Sequence, residues 1–317
     1  MDRLLPQRLV KGDLIQVITP ASPVDLERLS RGVGLLRQLG FRVRLGGVLK
    51  SLYGNPMISA PDEERKKEIE EAFADREVKC IMASRGGYGT LRLLEDLDYT
   101  LIRDNPKLIV GYSDLTALLN SIHKMTGLVT FHGPMVATDF GSEQPSKYTL
   151  EWFQKATMSG RPIGAVEQPS GYLRRVVEGV GRGPIVGGNL SLITRMLGTP
   201  YQPEFENKIV LLEEVDEDPY KVDGMLTHLL LNGSIKKAAG IVFSVCKNCP
   251  PPERAGKPIN AITVEEVVRE RLERIGVPSV YGFNAGHNPD IPTIPIGVIG
   301  ELDASNLIFS VTETCTS

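Results

Sequence analysis

The chain is short of the residues that build covalent scaffolds and metal clusters. Four cysteines in 317 residues do not make a disulfide framework. There are only four histidines and one tryptophan. No apolar run approaches the ~18–20 residues of a membrane span, so no membrane partner is expected. Met1 to Val10 has basic residues but neither a continuous apolar stretch nor a small-residue cleavage site. No signal peptide is therefore expected, and the chain reads as cytoplasmic. Charge of one sign is also missing: Lys plus Arg is 36, Asp plus Glu is 39, and the net charge is −3. Neutralising phosphates needs a basic surface, so no nucleic-acid partner is expected.

The cysteines carry little chemistry by position. Cys80 lies in an apolar run and reads as a core residue. Cys246 and Cys249 form one Cys-x-x-Cys, with no second pair at zinc-site spacing. A redox pair usually opens a helix, whereas Pro250, Pro251 and Pro252 follow here. The pair reads as a loop with two thiols.

What is present is an ordinary globular composition, 41% apolar and 24% charged. At roughly 150 residues per domain the length suggests two domains. The first half alternates strand and helix patterns. Leu14–Thr19, Phe41–Leu45, Val78–Ala83 and Leu108–Val110 read as strands. Helices are expected over residues 26–39, 61–74 and 115–125, and around Leu91, Leu94 and Leu97. Such repetition implies a parallel sheet covered by helices. Gly and Pro become dense between Gly160 and Gly188, with a strand-like piece at Arg175–Val177. The linker is placed at residues 161–178, between domains 1–160 and 179–317. Beyond it, Lys208–Leu212 and Ile241–Val245 read as strands. Helices are expected around Val222–Leu230 and over Thr263–Ile275, and terminal strands at Gly297–Ile299 and Leu307–Val311.

In open α/β sheets ligands bind at the carboxyl ends of strands. Ser113 lies at such an end, in Gly111-Tyr112-Ser113-Asp114, where helix N–H groups favour a developing negative charge. As a bare pattern it reads first as a helix cap. A nucleophilic serine needs a base, and His132 (in Phe131-His132-Gly133-Pro134) and His287 (in Gly286-His287-Asn288) are the candidates. His123 and His228 fall inside amphipathic helices. Glu213 ends the apolar run Ile209–Leu212 and suits the acid that orients an imidazole. Glu214, Asp216, Glu217 and Asp218 follow it, read as a solvated acidic turn without recognisable metal-ligand spacing. Arg85-Gly86-Gly87-Tyr88-Gly89 lacks both the P-loop ending and the dinucleotide fingerprint. Its backbone N–H groups could instead hold an oxyanion. Gly187-Gly188-Asn189 before a helix is a similar signal.

The ordered set Ile18–Pro23 (ITPASP), Ser84–Gly89 (SRGGYG), Gly111–Thr116 (GYSDLT), Phe131–Pro134 (FHGP), Gly187–Leu190 (GGNL), Leu212–Leu226 and Gly286-His287 through Pro295-Ile296-Gly297 spans nearly the whole chain. In that order it resembles the LD-carboxypeptidase family of serine peptidases, which includes the muramoyltetrapeptide carboxypeptidases and the microcin C self-immunity peptidases. The resemblance implies an α/β protein: an N-terminal Rossmann-like parallel-sheet domain plus a C-terminal swivelling β/α domain. It implies a triad of Ser113 as nucleophile, Glu213 as acid and His287 as base, so His287 is preferred to His132. It further implies an oxyanion hole from the backbone N–H groups of Gly87 and Asp114. Arg85 is expected to meet the substrate carboxylate, with Gly86 and Asn189 as further substrate contacts. No metal or cofactor is implied, and family members are cytoplasmic and commonly homodimeric. The implied reaction is release of terminal D-alanine from a murein tetrapeptide, a small peptide substrate, in peptidoglycan recycling. The alternative is an immunity-type peptidase cutting acyl-sulfamoyl or phosphoramide adenylates. Trp152, the one tryptophan, lies outside the matching stretches, which favours the murein substrate over a nucleobase. A non-catalytic module that holds an anion on Arg85-Gly86-Gly87 is the competing class.

Overall fold

Apolar runs bounded by turn residues set the frame of the first half. In the computed structural model, which describes residues 2–50, 54–169, 172–249, 253–254, 257–258 and 262–317, β1 (Leu14–Ile18) is buried at every position. Beside it lie β2 (Arg42–Leu45), β3 (Val78–Ala83), β4 (Leu108–Gly111) and β5 (Thr130–His132), all parallel. The order β2-β1-β3-β4-β5 reverses at β1, which is where a doubly wound sheet opens a crevice beyond its carboxyl ends. The helices are α1 (Leu26–Gln38), α2 (Asp62–Ala74), α3 (Tyr99–Asp104), α4 (Leu115–Thr126) and α5 (Lys147–Met158). Asp25 caps α1 by accepting the Arg28 N–H, and Leu29, Val33 and Leu36 bury its inner face.

Two expectations for this half differ from the structure. Leu91, Leu94 and Leu97 lie in and after a 3₁₀ turn (Thr90–Leu93) rather than in an α-helix. Asp98 then caps a fresh start at α3 by accepting the Leu101 N–H, and Leu94 and Leu97 are buried without a helix. Helix α5 was not expected. Its buried Thr149, Trp152, Phe153, Ala156 and Thr157 follow helical spacing, with Ser146 as cap.

The second half builds its own sheet from β6 (Gly164–Ala165), β7 (Arg174–Val177), β8 (Val180–Asn189), β9 (Ile209–Glu213), β10 (Gly240–Ser244), β13 (Ser279–Phe283), β15 (Ile299–Asp303) and β16 (Ile308–Val311). Strands β8, β9, β10 and β13 run parallel, and antiparallel partners flank them on both sides. A separate hairpin pairs β11 (Glu253–Arg254) with β12 (Lys257–Pro258). Helices α6 (Leu190–Met196), α7 (Pro219–Asn232) and α8 (Val264–Ile275) supply Leu190, Val222, Leu226, Leu229, Val268 and Leu272 to a core shared with Leu212, Ile241 and Phe243. β14 (Ile294–Ile296) pairs antiparallel with β5 and so belongs to the first sheet.

The chain thus forms two units. One is Met1–Pro162 with Ile291–Gly297 and Thr314–Ser317; the other is Ile163–Asp290 with Val298–Glu313. The stretch 161–178, expected as a linker, carries β6 and β7. Among the described residues no helix is long and apolar enough to cross a membrane.

Candidate active site

In the first unit the turns after β1, β3 and β4 meet around Ser113. Ser113 has φ 61, a left-handed conformation that a residue with a Cβ adopts at a cost of about 1–2 kcal/mol. Strain of this kind collects at functional positions. The helix-cap reading of this turn does not describe it. The cap position of α4 is Asp114, which makes no side-chain capping bond. Its carboxylate instead accepts the Thr90 N–H at 2.8 Å, and burial pushes it above the usual carboxylate range.

The Gly-rich turn lies directly on the serine. A Cβ placed on Gly86 would stand 2.9 Å from Ser113 Cβ and 3.0 Å from its Oγ, so only glycine lets the two backbones approach. Gly87 has φ +119, and a Cβ there would meet Ser22 Oγ at 2.1 Å. The Ser22 hydroxyl donates to Met57 O at 2.6 Å and accepts the Tyr88 N–H at 3.1 Å. The Ser22 N–H reaches Gly86 O at 3.4 Å, so the trans peptide turns the Gly87 N–H away from Ser22. Arg85 is exposed, and its guanidinium reaches Pro23 O at 3.3 Å.

In the second unit Glu213 ends β9 and is buried, its side chain 1% exposed. Its Oε2 lies 2.8 Å from Nδ1 of His287, whose side chain is 20% exposed. With Glu213 ionised and the imidazole neutral, this contact puts the hydrogen on Nδ1 and the lone pair on Nε2. That is the tautomer a general base needs. Gly286 permits the contact. It has φ +63, and a Cβ on it would stand 2.3 Å from Glu213 Oε2.

Glu214 differs from the solvated turn expected of its cluster. It is buried and accepts from Asn189 Nδ2 at 3.0 Å, Ser191 N at 2.9 Å, Ser191 Oγ at 2.7 Å and Val215 N at 2.9 Å. Burial raises its carboxyl despite these donors. Asn189 also caps α6 by accepting the Leu192 N–H at 3.2 Å, so both ends of its amide are engaged within the unit. Asp216, Glu217 and Asp218 remain on the surface side of this turn, where Lys221 pairs with Glu217 at 2.9 Å.

The other candidates fall elsewhere. His132 is a buried residue of β5 whose ring lies 5.9 Å from that of Tyr112. His123 sits in the last turn of α4, its Nδ1 3.0 Å from Leu128 O, and His228 is exposed on α7. Cys246 and Cys249 are free and buried. Their mutual hydrogen bond raises the Cys246 thiol and lowers that of Cys249. Residues 250–252, the prolines expected after them, lie outside the described residues. Among the described residues no group of three His, Cys, Asp or Glu side chains comes together as a metal site. Ser22 and Glu214 lie inside the matching stretches with no supporting role expected of them, and the buried Arg65 of α2 lies outside those stretches.

Comparison with known proteins shows the family. Residues 15–133 match the LD-carboxypeptidase N-terminal domain, and residues 182–302 match the LD-carboxypeptidase C-terminal domain. The chain is 39% identical over 292 residues to the probable murein peptide carboxypeptidase of Bacillus subtilis, covering 92% of this chain and 89% of that protein. Among solved structures it is similar to the microcin C7 self-immunity protein MccF in complex with aspartyl sulfamoyl adenosine, with TM-score 0.89, 28% identity, and coverage of 99% and 100%. It is also similar to the muramoyltetrapeptide carboxypeptidase of Oxalobacter formigenes, with TM-score 0.81, 30% identity, and coverage of 94% and 97%. With both domain models matched in order, the chain belongs to the LD-carboxypeptidase family.

Proposed function

We propose that the protein is a serine-type LD-carboxypeptidase that releases the terminal D-alanine of murein tetrapeptide. The observation that carries the reading is the His287–Glu213 pair, held at 2.8 Å through Nδ1. The left-handed Ser113 turn and the relatives named for murein peptides support it.

In the proposed mechanism His287 Nε2 takes the hydroxyl proton of Ser113 as Oγ attacks the scissile carbonyl. Glu213 holds the ring and stabilises the imidazolium. The N–H groups of Gly87 and Asp114 receive the oxyanion, worth about 3–4 kcal/mol per donor. The intermediate collapses, D-alanine leaves with the proton from His287, and water activated by the same imidazole hydrolyses the acyl-enzyme. Ser113 belongs to one unit, and Glu213 and His287 belong to the other. Arg85, exposed beside the Gly86 turn, is the proposed partner of the substrate carboxylate. Asn189 is the second proposed contact. The finer expectations, a cytoplasmic homodimer working without a cofactor, go with this reading.

The test is D-alanine release followed by mass spectrometry, with tetrapeptide and pentapeptide as substrates and Ser113→Ala as control. Release from tetrapeptide is expected, lost in the variant by roughly 10⁶-fold. Tetrapeptide left intact by the wild-type protein overturns the murein reading. Unchanged hydrolysis in Ser113→Ala overturns the nucleophile. The TM-score of 0.89 to the microcin C7 self-immunity protein favours a second substrate class, acyl-sulfamoyl adenylates. Cleavage of such a compound with murein peptide untouched reverses the order. Trp152 argues against that class: it is buried in α5 with Lys155 over its ring, and presents no free face to a nucleobase.

A further inference from the structure

Arg65 is 0% exposed, on the inner face of a helix that is otherwise rich in solvated charge. Burying a guanidinium is costly unless its donors are met. Here they are met almost entirely by backbone. Nε donates to Ala60 O at 3.0 Å; Nη1 donates to Pro20 O at 2.5 Å and to Gly89 O at 3.0 Å. Nη2 pairs with Asp62, which Arg92 holds from the other side. The three carbonyls belong to the turn after β1, the entry to α2 and the end of the Gly-rich turn.

Two of those segments are the walls of the serine site. Pro20 leads to Ser22, whose hydroxyl and N–H hold the Tyr88 N–H and the Gly86 carbonyl. Gly89 ends the same turn, and a Cβ on it would stand 2.7 Å from Arg65 Nη1. The turn 86–89 is therefore fixed at three points: Gly86 against Ser113, Gly87 against Ser22 and Gly89 against Arg65. A hydrophobic side chain could fill the position of Arg65, but it could not set the direction of three carbonyls.

We infer that Arg65 is a positioning residue, whose guanidinium sets the Gly86–Gly89 turn so that its N–H groups meet the oxyanion formed at Ser113. This rests on the reading of Ser113 as nucleophile. Its effect lies in the transition state, because the turn is aimed at a charge that exists only there.

The test uses the full-length protein and two readouts. One is kcat and KM for D-alanine release from murein tetrapeptide. The other is the rate at which a fluorophosphonate probe labels Ser113, which needs the same hole but no particular substrate. Arg65→Met is expected to lower kcat and the labelling rate by ~10²-fold with KM within about twofold. Arg65→Lys, which keeps the charge and part of the carbonyl contact, is expected to fall between that variant and wild type. Thermal melting sets the folded fraction in each case. A lower melting temperature with unchanged kcat and labelling per folded molecule overturns the inference. If Arg65→Met does not fold, wild-type labelling and kcat in Arg65→Lys overturn it equally. Wild-type protein that is not labelled at Ser113 overturns the nucleophile reading and this inference with it. Labelling without tetrapeptide hydrolysis overturns only the substrate, and the labelling rates still decide the role of Arg65.

Discussion

Ser113 holds φ 61 although it carries a Cβ, while glycine would hold the same angle without strain. Ser113→Gly and Ser113→Ala therefore separate two effects that a single variant would mix. Both are expected to abolish hydrolysis. Only the glycine variant relieves the backbone, so its unfolding free energy should exceed that of the alanine variant by about 1 kcal/mol. Equal stability in urea titrations would mean that the turn stores no strain. Gly286 makes the complementary case. A methyl group there meets the Glu213 carboxylate at 2.3 Å and adds strain at φ +63. Gly286→Ala should displace the imidazole and cost on the order of 10²-fold in kcat, the usual result of a misplacement near 1 Å. Circular dichroism checks that the variant is folded. A folded variant with wild-type kcat would show that the His287–Glu213 contact does not control the rate.

At the scale of the element, helix α2 hides its structural charges among surface ones. Its sequence Asp62–Ala74 reads as a solvated helix, yet Arg65, Glu68, Ile69 and Ala72 form one buried stripe. The i, i+3, i+4, i+7 spacing was present, but charge at two of its positions concealed the stripe. Glu68 carries a measurable consequence. Its two oxygens accept the Thr19 N–H at 2.7 Å and the Val48 N–H at 2.9 Å, tying α2 to the turns after β1 and β2. Burial outweighs these donors and raises the carboxyl from 4.5 to about 7. A carboxyl raised on folding contributes stability below its unfolded value and loses it as pH rises through the folded one. The loss, about 3 kcal/mol, should fall between pH 4.5 and 7. Glu68→Gln does not titrate, so the wild-type unfolding free energy should drop relative to the variant across that window. Parallel curves for the two proteins would contradict the assignment.

Composition conceals β8, whereas β1, β3, β4 and β9 are legible as apolar runs. Gly181, Gly183 and Gly187 argue against a strand by composition. In the structure a Cβ on each would lie 2.0 Å from a carbonyl oxygen, of Ala239, Asn207 and Leu211 respectively. These glycines mark backbone approach within the sheet rather than a loop. The pairing of Glu213 with His287 was legible only through the ordered set of motifs, and the packing of Gly86 on Ser113 was not legible at all. Their contacts join residues 74 and 27 positions apart in the chain, which no local pattern encodes. Arg65 and Glu68 had no comparable signal, because burial of a charge is decided by tertiary partners that lie far along the chain.

For the whole molecule, the route of the chain is the least local property. The first unit takes back Ile291–Gly297 and Thr314–Ser317 after the second has been built. Nothing in the composition of the last four residues marks them as structural. Yet Cys315 is buried with its thiol on Ala156 O, the Ser317 N–H donates to Pro6 O at 3.0 Å, and Arg8 N–H donates to Ser317 O at 3.1 Å. Removing Thr314–Ser317 deletes these bonds and uncovers the ends of the chain, a loss of about 2–3 kcal/mol at ordinary values per bond and buried group. The single tryptophan makes this measurable unit by unit, because Trp152 lies in α5 of the first unit. Its fluorescence midpoint in urea should fall on truncation, since the bonds described for the tail go to that unit's Pro6, Arg8 and Ala156. Far-ultraviolet circular dichroism reports both units. If it shifts by the same amount, the two unfold as one cooperative body; if it splits into two steps with only the first displaced, they unfold separately. An unmoved fluorescence midpoint would mean that the returning tail adds nothing to the unit carrying the nucleophile.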